Sequence, residues 1–297
     1  VLTPEQAIDA VNQRYGQHAG FRALHAKGLV CGGTFTATPQ AAALTRAAHL
    51  SGVRTPVLAR LSNGGGDPTV PDYAPDVRGL AVSFELPDGK RTVISAQTVP
   101  LLSVGSPDAF IALIAALHPR PSQAWRLPLF LARNPRVAAS LPASLRALKL
   151  PASYAAVTYH GLHSFRWLAA DGSDRFVRYT WVPEAGDHRI SGSAGKRAGR
   201  DYLSDELRAR LAGGPVRFTL QVQIAGAGDN PDDPTVAWPS SRDVVTVGTL
   251  ELTELVTEPA VLVFDPTALT DGIELSNDPI LKFRAGAYSV SVERRLH

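Results

Sequence analysis

Val77-Arg78-Gly79-Leu80-Ala81-Val82-Ser83-Phe84-Glu85, followed after Leu86-Pro87-Asp88-Gly89-Lys90 by Arg91-Thr92-Val93-Ile94-Ser95-Ala96, is the stretch on which the fold turns. Pro87-Asp88-Gly89 is a turn signal: proline presets φ and glycine accepts positive φ. Two strands joined by so short a connection run antiparallel, since a parallel pair needs a crossover of a dozen or more residues. The pattern returns at 165–168 and 175–182, flanking Ala170-Asp171-Gly172-Ser173. The runs 216–225 and 244–256 alternate over the greatest length, and 29–37 and 56–62 read as further strands. Strands outnumber helices and most neighbours are joined by turns. The chain is therefore read as α+β, an antiparallel sheet closed into a barrel with helices added, rather than a βαβ array.

The helices announce themselves by their caps. Thr3-Pro4-Glu5-Gln6 is a capping box with proline at the first helical position. Thr38-Pro39 opens a helix over 40–50, and Ser106-Pro107 opens one over 108–117. Residues 201–211 carry acids first and arginines last, as the helix dipole favours. The proline-, arginine- and leucine-rich span 119–151 reads as an irregular surface excursion with short helical patches.

Composition excludes several functions. Lys+Arg of 30 against Asp+Glu of 27 leaves a formal net charge of only +3, with no long basic run, so nucleic acid is not an expected partner. No apolar stretch reaches the ~20 residues of a membrane span. Cys31 is the single cysteine, which rules out a disulfide framework or a cysteine metal cluster and agrees with a reducing, cytoplasmic compartment. There is no methionine. The chain is therefore expected to start after processing or trimming, so a removed signal peptide would leave no trace.

The chemistry concentrates at Phe283-Arg284-Ala285-Gly286-Ala287-Tyr288-Ser289-Val290-Ser291-Val292-Glu293-Arg294-Arg295-Leu296-His297. Arg284 and Tyr288 share a helix face at i, i+4, and a guanidinium beside a phenol favours the phenolate. A phenolate is a ligand for ferric iron, and tyrosine is one of the proximal haem ligands. Arg295 follows two turns later near the same face. His25 stands between Arg22 and Lys27, whose charges would keep it neutral and able to accept a peroxide proton. Arg60 and Ser62 point to one side of their strand. Arg22, Arg60 and Arg295 could bind the carboxylates of a buried ligand. Residues 192–197, the glycine run 63–67, and His160 with His163 mimic phosphate, dinucleotide and metal motifs. None has the full spacing or partners, so they read as turns or core polar groups.

In this order the pieces resemble the haem catalases. Phe21 to Gly28 is similar to their distal-histidine segment. Arg60-Leu61-Ser62 and Asp76-Val77-Arg78-Gly79-Leu80-Ala81-Val82-Ser83-Phe84 resemble their R-F-S and R-D-x-R-G-F-A-x-K-F stretches. Gly161-Leu162-His163-Ser164-Phe165, Ala237-Trp238-Pro239, Phe264-Asp265-Pro266, Asp271-Gly272-Ile273-Glu274 and Arg284-x-x-x-Tyr288 follow in sequence. The resemblance implies a single haem-binding domain over 1–297, with heme b (iron protoporphyrin IX) in the pocket of an eight-stranded antiparallel barrel. It makes Tyr288 the iron ligand, Arg284 its charge partner and His25 the distal base. Ser62 would hold the other imidazole nitrogen, Arg22, Arg60 and Arg295 the propionates, and Phe110 would flank the distal pocket.

Departures from the pattern shape the expected function. Gln97-Thr98-Val99-Pro100 replaces the distal N-N-T-P, leaving Gln97 or Thr98 where catalases carry asparagine; Thr98 is taken as the catalytic position. Leu101 and Leu102 replace aromatics, and Gly64 replaces a valine that narrows the channel. The C-terminal helical segment and the long wrapping arm of ordinary catalases are missing, which suggests a homodimer. These features match the short catalase-related peroxidases, or mini-catalases. The expected activity is reduction of hydrogen peroxide or organic hydroperoxides by small organic electron donors, with weak or no catalase activity. A hydroperoxide isomerase like the coral allene oxide synthases, a true catalase, and a non-enzymatic haem-binding protein are the alternatives.

Overall fold

The structure, a computed structural model, describes residues 2–117, 121–138, 145 and 148–296. Its elements in chain order are α1 (Pro4–Tyr15), β1 (Gly28–Ala37), α2 (Pro39–Leu44), β2 (Thr55–Asn63), β3 (Arg78–Glu85), β4 (Arg91–Gln97), α3 (Pro107–Ala116) and α4 (Arg126–Arg133). They continue as β5 (Tyr159–Leu168), β6 (Asp174–Pro183), α5 (Gly192–Ala198), α6 (Tyr202–Gly213), β7 (Val216–Ile224), β8 (Val244–Val256), β9 (Ile273–Leu275) and α7 (Pro279–Leu296).

Strands β1 to β8 pair antiparallel in the order β4-β3-β2-β1-β8-β7-β6-β5, and β4 meets β5 at Gln97↔His160 to close the barrel. The hairpin that carried the fold reading pairs from Gly79↔Gln97 to Glu85↔Arg91. Alternation decides which face each residue takes. Leu61, Leu80, Val82, Phe84, Ile94 and Ala96 point into one core with Phe35 and Trp181. Phe35 stands edge-on to Phe84 at 5.2 Å and to Trp181 at 6.0 Å between ring centroids. The barrel interior is thus packed with side chains.

The opposite face of the same strands is what matters for function. Val30, Val93 and, less fully buried, Leu58 and Ala81 are covered by Leu262 and Phe264 from the segment after β8. Arg60, Ser62 and Gly79 lie on that outer face. The sequence reading expected the ligand pocket of the barrel itself; alternation puts the candidate residues against its outer wall, because the inward positions are filled by core side chains.

Three local expectations change. The helix expected over 40–50 ends at Leu44 and resumes as a short 3₁₀ turn at Ala48–Leu50. Thr45 is extended there: its hydroxyl donates to Gly272 O at 2.8 Å, and Arg46 N–H donates to Leu168 O at 2.9 Å. β5 begins at Tyr159 rather than Phe165, with a register shift between His160 and Ser164 that blurs its alternation. Residues 192–197, read as a turn, form α5, opened by Ser191 Oγ accepting Ala194 N–H. In the excursion at 119–151, where short helical patches are expected, α4 is one; residues 118–120, 139–144 and 146–147 lie outside the described residues. Among the described residues no helix is long and apolar enough to cross a membrane.

Candidate active site

His25 closes the loop ahead of β1 with φ of 56°, a left-handed conformation and the single positive φ among the described non-glycine residues. Such a backbone is costly for a histidine and persists where its surroundings over-determine it. Here they do. His25 N–H donates to Gly64 O at 3.0 Å, its carbonyl accepts Arg60 Nη1 at 2.7 Å, and its Nδ1 lies 3.0 Å from Ser62 Oγ. The imidazole lies over Gly79, where a Cβ would come within 2.8 Å of Cε1 and Nδ1. Only glycine leaves the ring its place.

Burial, then the charges of Arg60, Arg284 and Arg22, pull the His25 pKa down to about 3. The ring is neutral at any ordinary pH. In the tautomer whose Nδ1–H donates to Ser62 Oγ, Nε2 keeps a lone pair free to accept a proton.

Arg60 rises from the same outer face. Its Nη1 and Nη2 donate to the carbonyls of His25 and Ala26, and its Nε donates to Glu258 Oε2 at 3.0 Å. Arg22 joins Glu258 through Nη1 and donates from Nη2 to Leu262 O at 2.8 Å. Arg295 reaches the same carboxylate at 3.9 Å and donates from Nη2 to Ala260 O at 2.7 Å. Three guanidiniums against one carboxylate leave the cluster with two positive charges. Arg295 Nε is buried without a hydrogen-bond partner, a donor still to be used.

The third group stands on α7. Asp278 caps that helix, its Oδ1 accepting the N–H groups of Ile280 at 2.8 Å and Leu281 at 3.3 Å. Its Oδ2 lies 2.6 Å from His163 Nδ1, His163 Nε2 lies 3.2 Å from Arg284 Nη1, and Arg284 Nη2 donates to Tyr288 Oη at 2.7 Å. The chemistry fixes the proton in this chain. A carboxylate only accepts and a guanidinium only donates, so His163 carries its proton on Nδ1 and receives Arg284 on Nε2. Burial lowers the His163 pKa more than Asp278 raises it, so the ring stays neutral. Tyr288 therefore ends a four-residue hydrogen-bonded chain anchored in the interior. Serine links the two halves: Ala23 N–H, near His25, donates to Ser291 Oγ on α7 at 3.5 Å.

Of the candidates from sequence, Arg22, His25, Arg60 and Ser62 converge with Arg284, Tyr288 and Arg295 in this region. Thr98 is buried and its Oγ accepts the backbone N–H of Arg78 at 3.0 Å. Ser62, Gly79 and Gln97 are directly opposed across β2, β3 and β4, so Gln97 shares the sheet face on which the imidazole lies. Phe110 packs into the apolar cluster of α3 and α4 with Val104, Ala116 and Phe130. The glycine at 64 opens no channel by itself, because Val77 Cγ2 stands 2.3 Å from where its Cβ would be. Sequence reasoning missed Asp278 and Glu258 and set His163 aside as a turn or core polar group. Asn277-Asp278-Pro279, a cap before a proline, was the available signal for the first; nothing local distinguished Glu258.

The donor set is a phenol held by a guanidinium, a neutral imidazole, and an arginine cluster with two charges to spare. It suits a planar iron group bearing two carboxylates, with Tyr288 for the metal and the cluster for the acids.

Comparison with known proteins points the same way. A sequence model of the family described as Catalase matches residues 2–297. The catalase-related peroxidase of Mycolicibacterium paratuberculosis (strain ATCC BAA-968 / K-10) is 51% identical over 298 residues, covering 99% of this chain and 95% of that protein. That of Synechococcus elongatus (strain ATCC 33912 / PCC 7942 / FACHB-805) is 35% identical, covering 99% and 89%. A fungal catalase structure superposes on all of this chain with a TM-score of 0.84 at 22% identity, and a bacterial one likewise at 0.84 and 23%. The chain spans 64% and 61% of those two solved chains.

Proposed function

The chain belongs to the catalase family, and from that premise we propose that it is a haem b peroxidase, one domain throughout, that reduces hydrogen peroxide or organic hydroperoxides with small organic donors. It is an oxidoreductase acting on peroxide, related to the catalase-related peroxidases. The observation that carries the finer reading is the chain Asp278–His163–Arg284–Tyr288, with its last bond of 2.7 Å onto the phenol oxygen.

When bound, the haem supplies the iron at which the peroxide O–O bond is split. Tyr288 would hold that iron, with Arg284 donating to the same oxygen and supporting its negative charge. Arg22, Arg60 and Arg295 would take the two propionates. His25 Nε2 would accept the proton from one peroxide oxygen and return it to the other, so that water or an alcohol leaves. A base that is neutral across the working pH range and locked in orientation is fitted to that transfer. Reduction of ROOH to ROH and water consumes two electrons and two protons, and the organic donor provides them.

Weak dismutation fits the distal site. Gln97 is one methylene longer than asparagine and lies opposite Gly79, so a second peroxide would be oriented differently from the first. The deciding experiment runs two assays side by side on the haem-loaded protein, oxygen evolution from hydrogen peroxide and oxidation of a phenolic or amine dye. Rapid dye turnover with slow oxygen release is expected. Vigorous oxygen release without dye turnover would overturn the peroxidase reading in favour of a true catalase.

A further inference from the structure

The carboxylate of Glu258 stands among three arginines that come from distant parts of the chain: the loop before β1, strand β2 and helix α7. Each arginine is separately anchored to the main chain. Arg22 donates to Leu262 O, Arg60 to His25 O and Ala26 O, and Arg295 to Ala260 O and Leu262 O. Their geometry therefore does not depend on Glu258, and what Glu258 contributes is charge. The arginines do feel one another: burial first, then the charges of Arg60 and Arg295, bring the Arg22 pKa down to about 9.

We propose that Glu258 is a holding counter-ion, whose charge lets three guanidiniums stand together in the folded chain. By the same charge it weakens the cluster's hold on a ligand carrying two carboxylates. This rests on the haem reading above. A carboxylate fixed beside the incoming carboxylates repels them, and it also occupies Arg22 Nη1 and Arg60 Nε, donors that a propionate could use. At 29% side-chain exposure Glu258 is partly screened by solvent, which tempers the effect. Removing its charge should thus have opposite consequences in the two states. Without ligand, three uncompensated cations destabilise the fold. With ligand, two carboxylates meet three cations and bind more tightly, as linkage requires.

The test compares wild-type, Glu258→Gln and Glu258→Asp full-length chains by two readouts: the rate of haem transfer to excess apomyoglobin, and the thermal midpoint with and without haem. Glu258→Gln is expected to slow haem transfer about tenfold while lowering the midpoint of the haem-free chain; Glu258→Asp should restore both. A Glu258 that is merely structural would lower the midpoint and speed haem loss together, and that result, or an unchanged transfer rate, overturns the proposal. A wild-type chain that takes up no haem would instead sink the haem reading. The counter-ion role is then read from inorganic phosphate, which must raise the midpoint of Glu258→Gln more steeply than that of wild type. Equal slopes would refute it.

Discussion

Gly79→Ala is the sharpest perturbation of the distal side. The added carbon would stand 2.8 Å from His25 Cε1 and Nδ1 and 3.1 Å from Ser62 Oγ. Ordinary carbon contacts lie at roughly 3.5–4.0 Å, so the imidazole must retreat by about 1 Å. It has little freedom to do so, because its backbone is tied to Gly64 and Arg60 and its Nδ1 to Ser62. A misplacement of that size costs about 10²-fold in rate, about 2.7 kcal/mol of transition-state stabilisation. Overpacking should cost a further ~1–3 kcal/mol of stability. The assay is kcat/KM for peroxide at saturating donor, normalised to bound haem, with circular dichroism to confirm the fold. Tyr288 and the arginine cluster are untouched, so haem content should stay at the wild-type level while turnover falls. A Gly79→Ala enzyme that turns over within twofold of wild type would refute the reasoning that the glycine exists to seat the distal imidazole.

Asp278→Asn should disturb the proximal side through a proton. The amide can still cap α7 with its oxygen but turns an N–H toward His163 Nδ1, which moves the histidine proton to Nε2 and sets two donors, His163 and Arg284, against each other. Leaving a buried donor unpaired costs about 1–3 kcal/mol, so haem loss should quicken and the haem spectrum shift; an unaltered spectrum and loss rate would contradict the relay. A pH prediction follows from His25 and His49, both brought down to about 3, the second by burial alone. Free histidine titrates near 6.5. The unfolded chain thus takes up protons first, and the stability these residues contribute is complete above about 6.5 and is lost as pH falls toward 3. Thermal midpoints measured from pH 7 to 4 should decline, whereas a flat profile would exclude the assignment.

Much of this architecture was legible in the residues. Pro87-Asp88-Gly89 and Asp171-Gly172 announced hairpins, and Thr3, Ser106 and their prolines announced helices, because such signals are local. Whether Arg60 and Ser62 look into the barrel or out of it was not legible; that depends on which alternate set of side chains fills the interior, a property of all eight strands together. The same holds for His163. It lies on a strand whose bulge hides its alternation, and its partner Asp278 is far along the chain. Between Gln97 and Thr98 a motif alone cannot say which face a residue takes at a strand end; the pairing Gly79↔Gln97 puts Gln97 on the face of Gly79. Glu258 was invisible for a simpler reason: it is one glutamate after a strand until Arg22, Arg60 and Arg295 are folded around it.

We propose that Tyr288, whose Oη accepts Arg284 Nη2 at 2.7 Å, would ligate the iron of a bound haem. Resonance Raman and optical spectra of the haem-loaded protein, wild type beside Tyr288→Phe, test it directly. The wild-type protein should show iron–phenolate vibrations with a high-spin ferric spectrum, and Tyr288→Phe should lose those vibrations together with most of the haem. Phenolate bands that persist in Tyr288→Phe, or a haem-bound wild type without them, would contradict the account.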